Sequence, residues 1–357
     1  MHTRGFWQSY GNASLLQAID KCLAGLPQVP RRLAVALSGG ADSAMLAVHA
    51  AIYAHRRAQD LHFFHIHHGL QSPADQWLAH VHDLAQALRV PCHSLVVTVP
   101  ANSGAGIESA ARDARYDALG LLAERLDLHH ILLAHHRNDQ AETVLLRLLR
   151  GSGPTGLAAM APMTQRLDVA YLRPWLDVDR ATILDEAQQY AKLGGWSPVH
   201  DPTNVDDRYT RAAVRERLVP ALDERWPGWR GNVVRHARQS AEMKEILDEV
   251  AQGDFAGLAP GIDARSFSLA AWRGLSPARQ ALVLRHWLAI NGLRMPTDAR
   301  LQDVMRQLRQ LHAMGHDRQM QVRHANAWIR CIKGRVLLEK DTPAGDGGEP
   351  CARNTVK

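Results

Sequence analysis

Residues 33–43, LAVALSGGADS, constrain the fold more than any other stretch of the chain. Five apolar residues, Leu33–Leu37, predict a short buried strand. Ser38, Gly39 and Gly40 predict a sharp turn, and Ala41, Asp42 and Ser43 open a helix running through AMLAVHAAIYAHR. A strand, a glycine turn and a helix start make an anion site. The first helical N–H groups have no partner inside the helix, and the helix dipole adds partial positive charge there. Glycine lets the backbone come close to a phosphate, and Ser38 and Ser43 add hydroxyl donors. Asp42 would be repelled by a phosphate unless a cation lay between them, and a magnesium ion bridging the two is the simplest resolution. The competing reading is a glycine-rich turn in which Asp42 and Ser43 are ordinary caps. The loop is not of the Walker kind, because the chain has no Gly-Lys-Ser or Gly-Lys-Thr.

Strand and helix patterns then alternate. Strands are expected at 61–66, 92–98, 130–134 and 169–174, with helices from Ser72-Pro73 to about Arg89, over 107–126 and over 139–150. This order predicts an α/β fold with a doubly wound parallel sheet. Such sheets bind ligands at the carboxyl ends of their strands. Four loops fall there: Ser38–Ser43, His65–Gly69, Asn102–Gly106 and His135–Asn138. From Tyr209 amphipathic helices dominate, at 209–226, 229–251, 276–290 and 298–314, before short β segments at 319–323, 327–332 and 335–340. The expected organisation is an N-terminal extension (1–30), a catalytic domain (31–205), a mainly helical α+β second domain (206–340) and a disordered tail (341–357).

Several clusters carry chemistry. Asp139 and Glu142 lie three apart at a helix start and share a face; they suit magnesium or the ammonium of an amine nucleophile. The plain alternative makes Glu142 a capping-box partner. His135 and His136 could stack on adenine or donate to phosphate. His65, His67 and His68 form an H-x-H-H cluster that reads best as a strand-end loop. Glu108, Arg112 and Arg115 share a helix face, where the arginines suit phosphates and the alternative is an i,i+4 Glu–Arg pair. Gly151–Gly156 spells G-x-G-x-x-G but follows a helix, so it fails as a dinucleotide motif. Asp201-Pro202-Thr203-Asn204, then Asp206, Tyr209, Arg211 and Arg215, mark a junction whose arginine-bearing helix faces an RNA backbone or caps the site.

Charge supports a large anionic substrate. The net charge is +6. Residues 33–140 carry ten Asp or Glu against seven Arg. Residues 208–238 carry eight Arg against three acids, and 300–340 nine Lys or Arg against three. A near-neutral half joined to a basic half suggests nucleic acid, with a solvated arginine-rich surface as the alternative. Cys22, Cys92, Cys331 and Cys351 form no C-x-x-C pair, which suits a reducing compartment. No run has the length of a membrane span, and MHTRGFWQSYGN lacks the apolar centre of a signal peptide, so a cytoplasmic location and no membrane partner are expected.

S-G-G-x-D-S resembles the loop of the ATP pyrophosphatases, which split ATP between its α and β phosphates. Together with HHGL, E-x-x-A-R-x-x-R-Y, HHRNDQAETVLLRLLRGSGPTGL, RPWL and DPTN-x-D-x-x-Y-x-R, it is similar to the tRNA(Ile)-lysidine synthetase family over residues 31–220. That resemblance implies a C–N ligase: ATP adenylates cytidine 34 of the CAU anticodon of tRNA(Ile), and free L-lysine displaces AMP. It implies that Ser38, Gly39, Gly40, Ala41, Asp42 and Ser43 hold phosphates and that Asp42 and Asp139 hold magnesium. His135 and one of Arg112 or Arg115 would contact ATP, and Asp139 and Glu142 would hold lysine or metal. A homodimer is compatible with it. Two positions depart from the family pattern: Asn138, where Asp is usual, and Ala212, where Asn is usual. The alternatives are a tRNA thiolase, which needs cysteines near the site, a small-molecule amidoligase, which needs no basic second half, and a catalytically idle RNA-binding protein.

Overall fold

The structure, a computed structural model, describes residues 9–67, 74–98, 107–194, 196–199, 210–311 and 320–340. Parts of the HHGL loop, the whole of Asn102–Gly106, the DPTN junction with Asp206 and Tyr209, and the tail lie outside the described residues. The chain divides into two compact units, 1–241 and 242–357.

The first unit is built on a six-stranded sheet in the order β3-β2-β1-β4-β6-β5. Strands β1 (Arg32–Ala36), β2 (Asp60–His67), β3 (Cys92–Val96), β4 (His130–Leu132) and β6 (Val169–Leu172) run parallel. The predicted parallel sheet is therefore present, with strand ends shifted by one or two residues. Edge strand β5 (Met163–Arg166) was not foreseen and pairs antiparallel with β6. All four of its residues are exposed, so it carries no hydrophobic alternation to read.

Alternation along each strand builds two cores. Leu33, Val35 and Leu37 face one side with Phe63, Leu132, Leu172 and the helix Ala41–Arg57. Ala34, Phe64, Ile131, Leu133 and Tyr171 face the other with Tyr116 and Leu119 of the helix Ile107–Arg125. Cover on both faces explains why the central strands β1, β4 and β6 are nearly continuous apolar runs.

Two long helices, besides the short Pro154–Leu157 and Leu269–Arg273, have no counterpart in the sequence reading. Ala13–Ala24 starts at Asn12, whose side chain accepts the N–H groups of Ser14 and Leu15 at 3.0 and 3.4 Å. Its stripe Leu15, Ile19 and Leu23 is wholly buried in the first core. Arg180–Gly194 buries Ile183, Ala187 and Tyr190 there. One buried network ties both to the helix Ala41–Arg57. His49 accepts the Asn12 N–H on Nε2 at 3.1 Å and faces the Met45 carbonyl with Nδ1 at 2.8 Å, while Glu186 accepts from Tyr10 and Asn12 at 3.3 Å. A ring that accepts on one nitrogen and donates from the other is neutral. Burial lowers the His49 pKa to about 4.

In the second unit, β7 (Ser266–Ser268), β8 (Met320–His324), β9 (Ala327–Ile332) and β10 (Arg335–Lys340) form an antiparallel sheet in the order β7-β10-β9-β8. The three predicted segments are present, and the three-residue β7 is additional. The helices Pro277–Ile290 and Asp298–Gln310 cover a core that includes Phe267, Trp272 and Trp287. Asp254 is buried and ion-paired to Arg279.

Two outcomes test this packing. Leu15→Ala is expected to destabilise the protein by about 2–5 kcal/mol in urea unfolding, as a methyl-bearing core side chain does; a loss below about 1 kcal/mol would mean that the N-terminal helix is dispensable. His49 has a folded pKa below its unfolded value, so its contribution is present above about pH 6.5 and is lost as pH falls toward 4. His49→Gln is expected to flatten the unfolding free energy across that window; an unchanged slope would mean that His49 is not the titrating group.

Candidate active site

β1 and β4 are neighbours, and the chain leaves β1 toward β2 on one side while β4 and β6 extend the sheet on the other. Such a switch point opens a crevice at the carboxyl ends. The phosphate loop and the His135–Glu142 segment meet there.

The loop is a rigid cradle. Gly39 has φ +93°, in the left-handed region, and a side chain there would meet Val81 Cγ2 at 3.1 Å. Its carbonyl accepts the Val199 N–H at 3.0 Å. The serine hydroxyls are committed to the loop itself. Ser43 Oγ accepts the Ser38 N–H at 3.1 Å and donates to the Gly40 carbonyl at 3.1 Å, which leaves Ser38 Oγ as donor to Ser43 Oγ at 2.9 Å. Both hydroxyl protons serve hydrogen bonds within the loop. The remaining donors are backbone N–H groups at the start of the helix Ala41–Arg57. His65 donates from Nδ1 to the Leu37 carbonyl at 2.8 Å and pins the strand end, which is a structural role.

Asp42 lies in the first turn of that helix. Its Oδ1 and Oδ2 accept from Arg180 Nε and Nη2 at 3.3 and 3.2 Å, and Oδ1 is 3.5 Å from His136 Nε2. Burial pushes the Asp42 pKa up, but His136 and Arg180 outweigh it and hold the carboxyl below its ordinary value.

His136 caps the helix Arg137–Leu149. Its Nδ1 accepts the Asp139 N–H at 3.3 Å, and its own N–H donates to Asp139 Oδ2 at 3.1 Å. The capping-box acid is therefore Asp139, not Glu142. With Nδ1 accepting, Nε2 carries the proton, and it faces Asp42 Oδ1 at 3.5 Å and Asp139 Oδ2 at 3.4 Å. Two carboxylates from different strand ends converge on one imidazole.

Glu142 is 4% exposed and is gripped by two guanidiniums. Arg211 Nε donates to Oε2 at 3.0 Å, and Arg215 Nε and Nη2 donate to Oε1 and Oε2 at 2.9 and 2.7 Å. Arg211 Nη2 also donates to Asp139 Oδ1 at 2.7 Å. The carboxylate raises the Arg215 pKa further. Of the two readings of the arginine helix, its first turns cap the acid pair. Arg215 sits in a π-helical turn, Val214–Leu218, between Thr210–Ala213 and Val219–Arg225. Ala212 is buried.

His135 Nδ1 is buried without a hydrogen-bond partner. Burial, then Arg173, Arg115, Arg112 and Arg211, hold its pKa well below the usual imidazole value, so the ring is neutral at pH 7. Arg115 is itself lowered by burial, with Arg112 and Arg211 adding repulsion. Arg112 is exposed and lies over the Tyr116 ring at 5.4 Å. The side chain of Glu108 is outside the described residues, so its pairing with Arg112 is not tested. A neutral imidazole ringed by arginines suits an anionic or nucleotide ligand.

Among the described residues no group of three or more His, Cys, Asp or Glu could hold a metal by itself. Magnesium characteristically takes one or two carboxylates and completes its shell with phosphate oxygens and water. Asp42 and Asp139, converging on His136 Nε2, fit that role. Asn138 serves the backbone instead: its Oδ1 accepts the Arg180 N–H at 3.3 Å, at the start of the helix Arg180–Gly194.

The sequence singles out Asp42, Asp139, Glu142, Arg211 and Arg215, and the structure brings these together. It missed Arg180 and the bridging role of His136. His136 was legible as a polar residue before a helix three positions ahead of an acid. Arg180 had no such signal, since it lies 138 residues from Asp42.

A PP-loop domain model matches residues 12–222, and a TilS substrate binding domain model matches residues 267–337. The tRNA(Ile)-lysidine synthase of Bordetella bronchiseptica is 59% identical over 92% of this chain and 95% of its own. The enzyme of that name from Ralstonia nicotianae is 42% identical over 92% of this chain and 68% of its own. A U34-tRNA thiolase from Methanococcus maripaludis shares the fold alone, with a TM-score of 0.53 at 14% identity over 68% of this chain and 82% of that one. On both domain models and on identity along nearly its whole length, the chain belongs to the tRNA(Ile)-lysidine synthase family.

Proposed function

We propose that the chain catalyses ATP-dependent formation of lysidine on tRNA(Ile), using free lysine, in the cytoplasm. The convergence of Asp42 and Asp139 on His136 at the end of the Ser38–Ser43 loop, with Glu142 joined to Asp139 through Arg211, supports this reading most directly. In the first step the O2 oxygen of cytidine 34 attacks the α phosphorus of ATP. The α–β bond breaks, and its electron pair leaves with pyrophosphate. N–H groups of the Gly40–Ser43 turn hold the departing group, and they need no reorganisation because the Ser38–Ser43–Gly40 hydrogen bonds fix the loop beforehand. His135, neutral and with an unused Nδ1, is placed to meet the nucleotide, with Arg112 or Arg115 beside it.

In the second step the lysine side-chain amine attacks C2 of the cytosine, and the C2–O2 bond breaks with loss of AMP. The Asp139–Glu142 pair is the site for the incoming ammonium. Its contacts with two cationic side chains, Arg211 and Arg215, support that reading, since they are the same kind of charge-assisted hydrogen bond an ammonium makes. Magnesium would be held by Asp42 and Asp139, and when bound it supplies charge neutralisation at the triphosphate. The exposed Arg306, Arg309 and Arg323 of the second unit fit the phosphate backbone of tRNA.

The reading rests on one experiment above others: reaction with isotopically labelled lysine and tRNA(Ile) bearing CAU, followed by mass analysis of position 34. The nucleoside is expected to gain one lysine less one water; label found only in free lysine, with ATP turnover supported by ammonia and no tRNA, rejects it. Asp42→Asn is expected to lower adenylation by roughly 100-fold or more while gel-shift binding of tRNA persists. Near-normal turnover would remove Asp42 from the phosphate chemistry. Glu142→Gln leaves two guanidiniums facing a neutral amide, and the lysine KM is expected to rise roughly tenfold or more. A KM change confined to ATP would place the amine elsewhere.

A further inference from the structure

Among the described residues, Arg180 touches the Asp42 carboxylate without being part of either strand-end motif. The segment that presents it is tied down firmly. Trp175 is wholly buried and donates from Nε1 to the Leu15 carbonyl at 3.2 Å. The Val178 N–H donates to the Trp175 carbonyl at 2.9 Å, and the Arg137 N–H donates to the Val178 carbonyl at 2.9 Å. Arg137 also reaches the Asp177 carbonyl, and the Arg180 N–H ends on Asn138 Oδ1 at 3.3 Å. The backbone at Arg180 is thus locked to the start of the acid-bearing helix, and its side chain crosses the crevice to Asp42 on the phosphate loop.

The guanidinium end of that side chain is held far less tightly. The side chain is 34% exposed, and its two bonds to Asp42, at 3.3 and 3.2 Å, sit at the long end for a charge-assisted pair. By contrast, three of the four Arg211 and Arg215 bonds to the acid pair are 2.9 Å or shorter. Burying Asp42 without a counter-charge would be costly, and Arg180 supplies one. Once a polyphosphate enters, its oxygens offer the planar guanidinium fork two acceptors carrying more charge than one carboxylate.

We propose that Arg180 is a pyrophosphate-binding residue, which leaves Asp42 for the oxygens of the β and γ phosphates as ATP binds and then stabilises the negative charge that grows on the departing pyrophosphate. The proposal rests on the reading that the Ser38–Ser43 loop holds that part of ATP, and adds a residue which that reading did not contain. No covalent bond to Arg180 forms or breaks. Its contribution is a fixed positive charge, aimed by an anchored backbone at the leaving group rather than at the adenosine.

The test is calorimetric titration of the full-length protein with magnesium pyrophosphate, ATP and AMP. Arg180→Gln keeps the backbone N–H that Asn138 accepts, so the helix start is preserved. The variant is expected to bind pyrophosphate and ATP about 10- to 100-fold more weakly than the wild type, as loss of a charge-assisted hydrogen-bond pair implies, with AMP affinity within about twofold. Equal pyrophosphate and ATP affinities in the two proteins overturn the role of Arg180. A parallel loss of AMP affinity also overturns it, since that marks general damage to the site. A wild type that binds neither ATP nor pyrophosphate overturns the reading of the loop itself, and the proposal with it. If Arg180→Gln does not fold, Arg180→Lys keeps the charge without the fork. It is then expected to lose pyrophosphate affinity several-fold with AMP unchanged, and undiminished affinity counts against the proposal.

Discussion

The adjacency of β1 and β4 is the constraint on which the site depends. Ala34 pairs with Ile131 and Val35 with Leu132, so both strands end side by side. β1 carries the phosphate cradle at its end and β4 carries the acid-bearing helix, and neither holds a complete site. The sheet order leaves a crevice between them at the switch point. Two polar bridges then fix the spacing across it: His136 Nε2 between Asp42 and Asp139, and Arg180 between Asn138 and Asp42. The apolar faces of the sheet set the strand order, and these few polar contacts set the distances within it.

The electrostatics follow from the same placement. Asp42, Asp139 and Glu142 would repel one another if left alone in a half-buried crevice. Each instead has cationic or N–H partners: Arg180 and His136 for Asp42, Arg211 and the His136 backbone for Asp139, Arg211 and Arg215 for Glu142. The basic groups around His135 have no comparable acid among the neighbours that set its pKa, and they hold the ring neutral. Arg211 joins the two sets: it holds Asp139 and Glu142, and with Arg173, Arg115 and Arg112 it acts on the His135 ring.

Much of the fold was legible because its strands are buried on both faces, and the glycine turn after Leu37 fixed the direction of the reading. β5 was missed because an exposed edge strand has no pattern, and the helix Ala13–Ala24 because its four-residue spacing was passed over in a segment read as an extension. At the site, residues in local motifs were found and residues acting across the chain were not. Asp139 and Glu142 announce themselves by spacing, whereas Arg180 acts on Asp42 only after folding. The serines carry a role that their place beside a glycine turn does not announce: the hydrogen bonds of Ser38 and Ser43 tie the loop together.

The most direct measurement is a crystal structure of the protein with an ATP analogue in which a methylene group replaces the α–β bridging oxygen. Its β and γ phosphates are expected against the backbone N–H groups of Gly40–Ser43, with the α phosphate facing the crevice between Asp42 and Asp139. A triphosphate bound away from the end of β1, with the loop N–H groups left to solvent, would contradict the central claim that this turn is the pyrophosphate cradle.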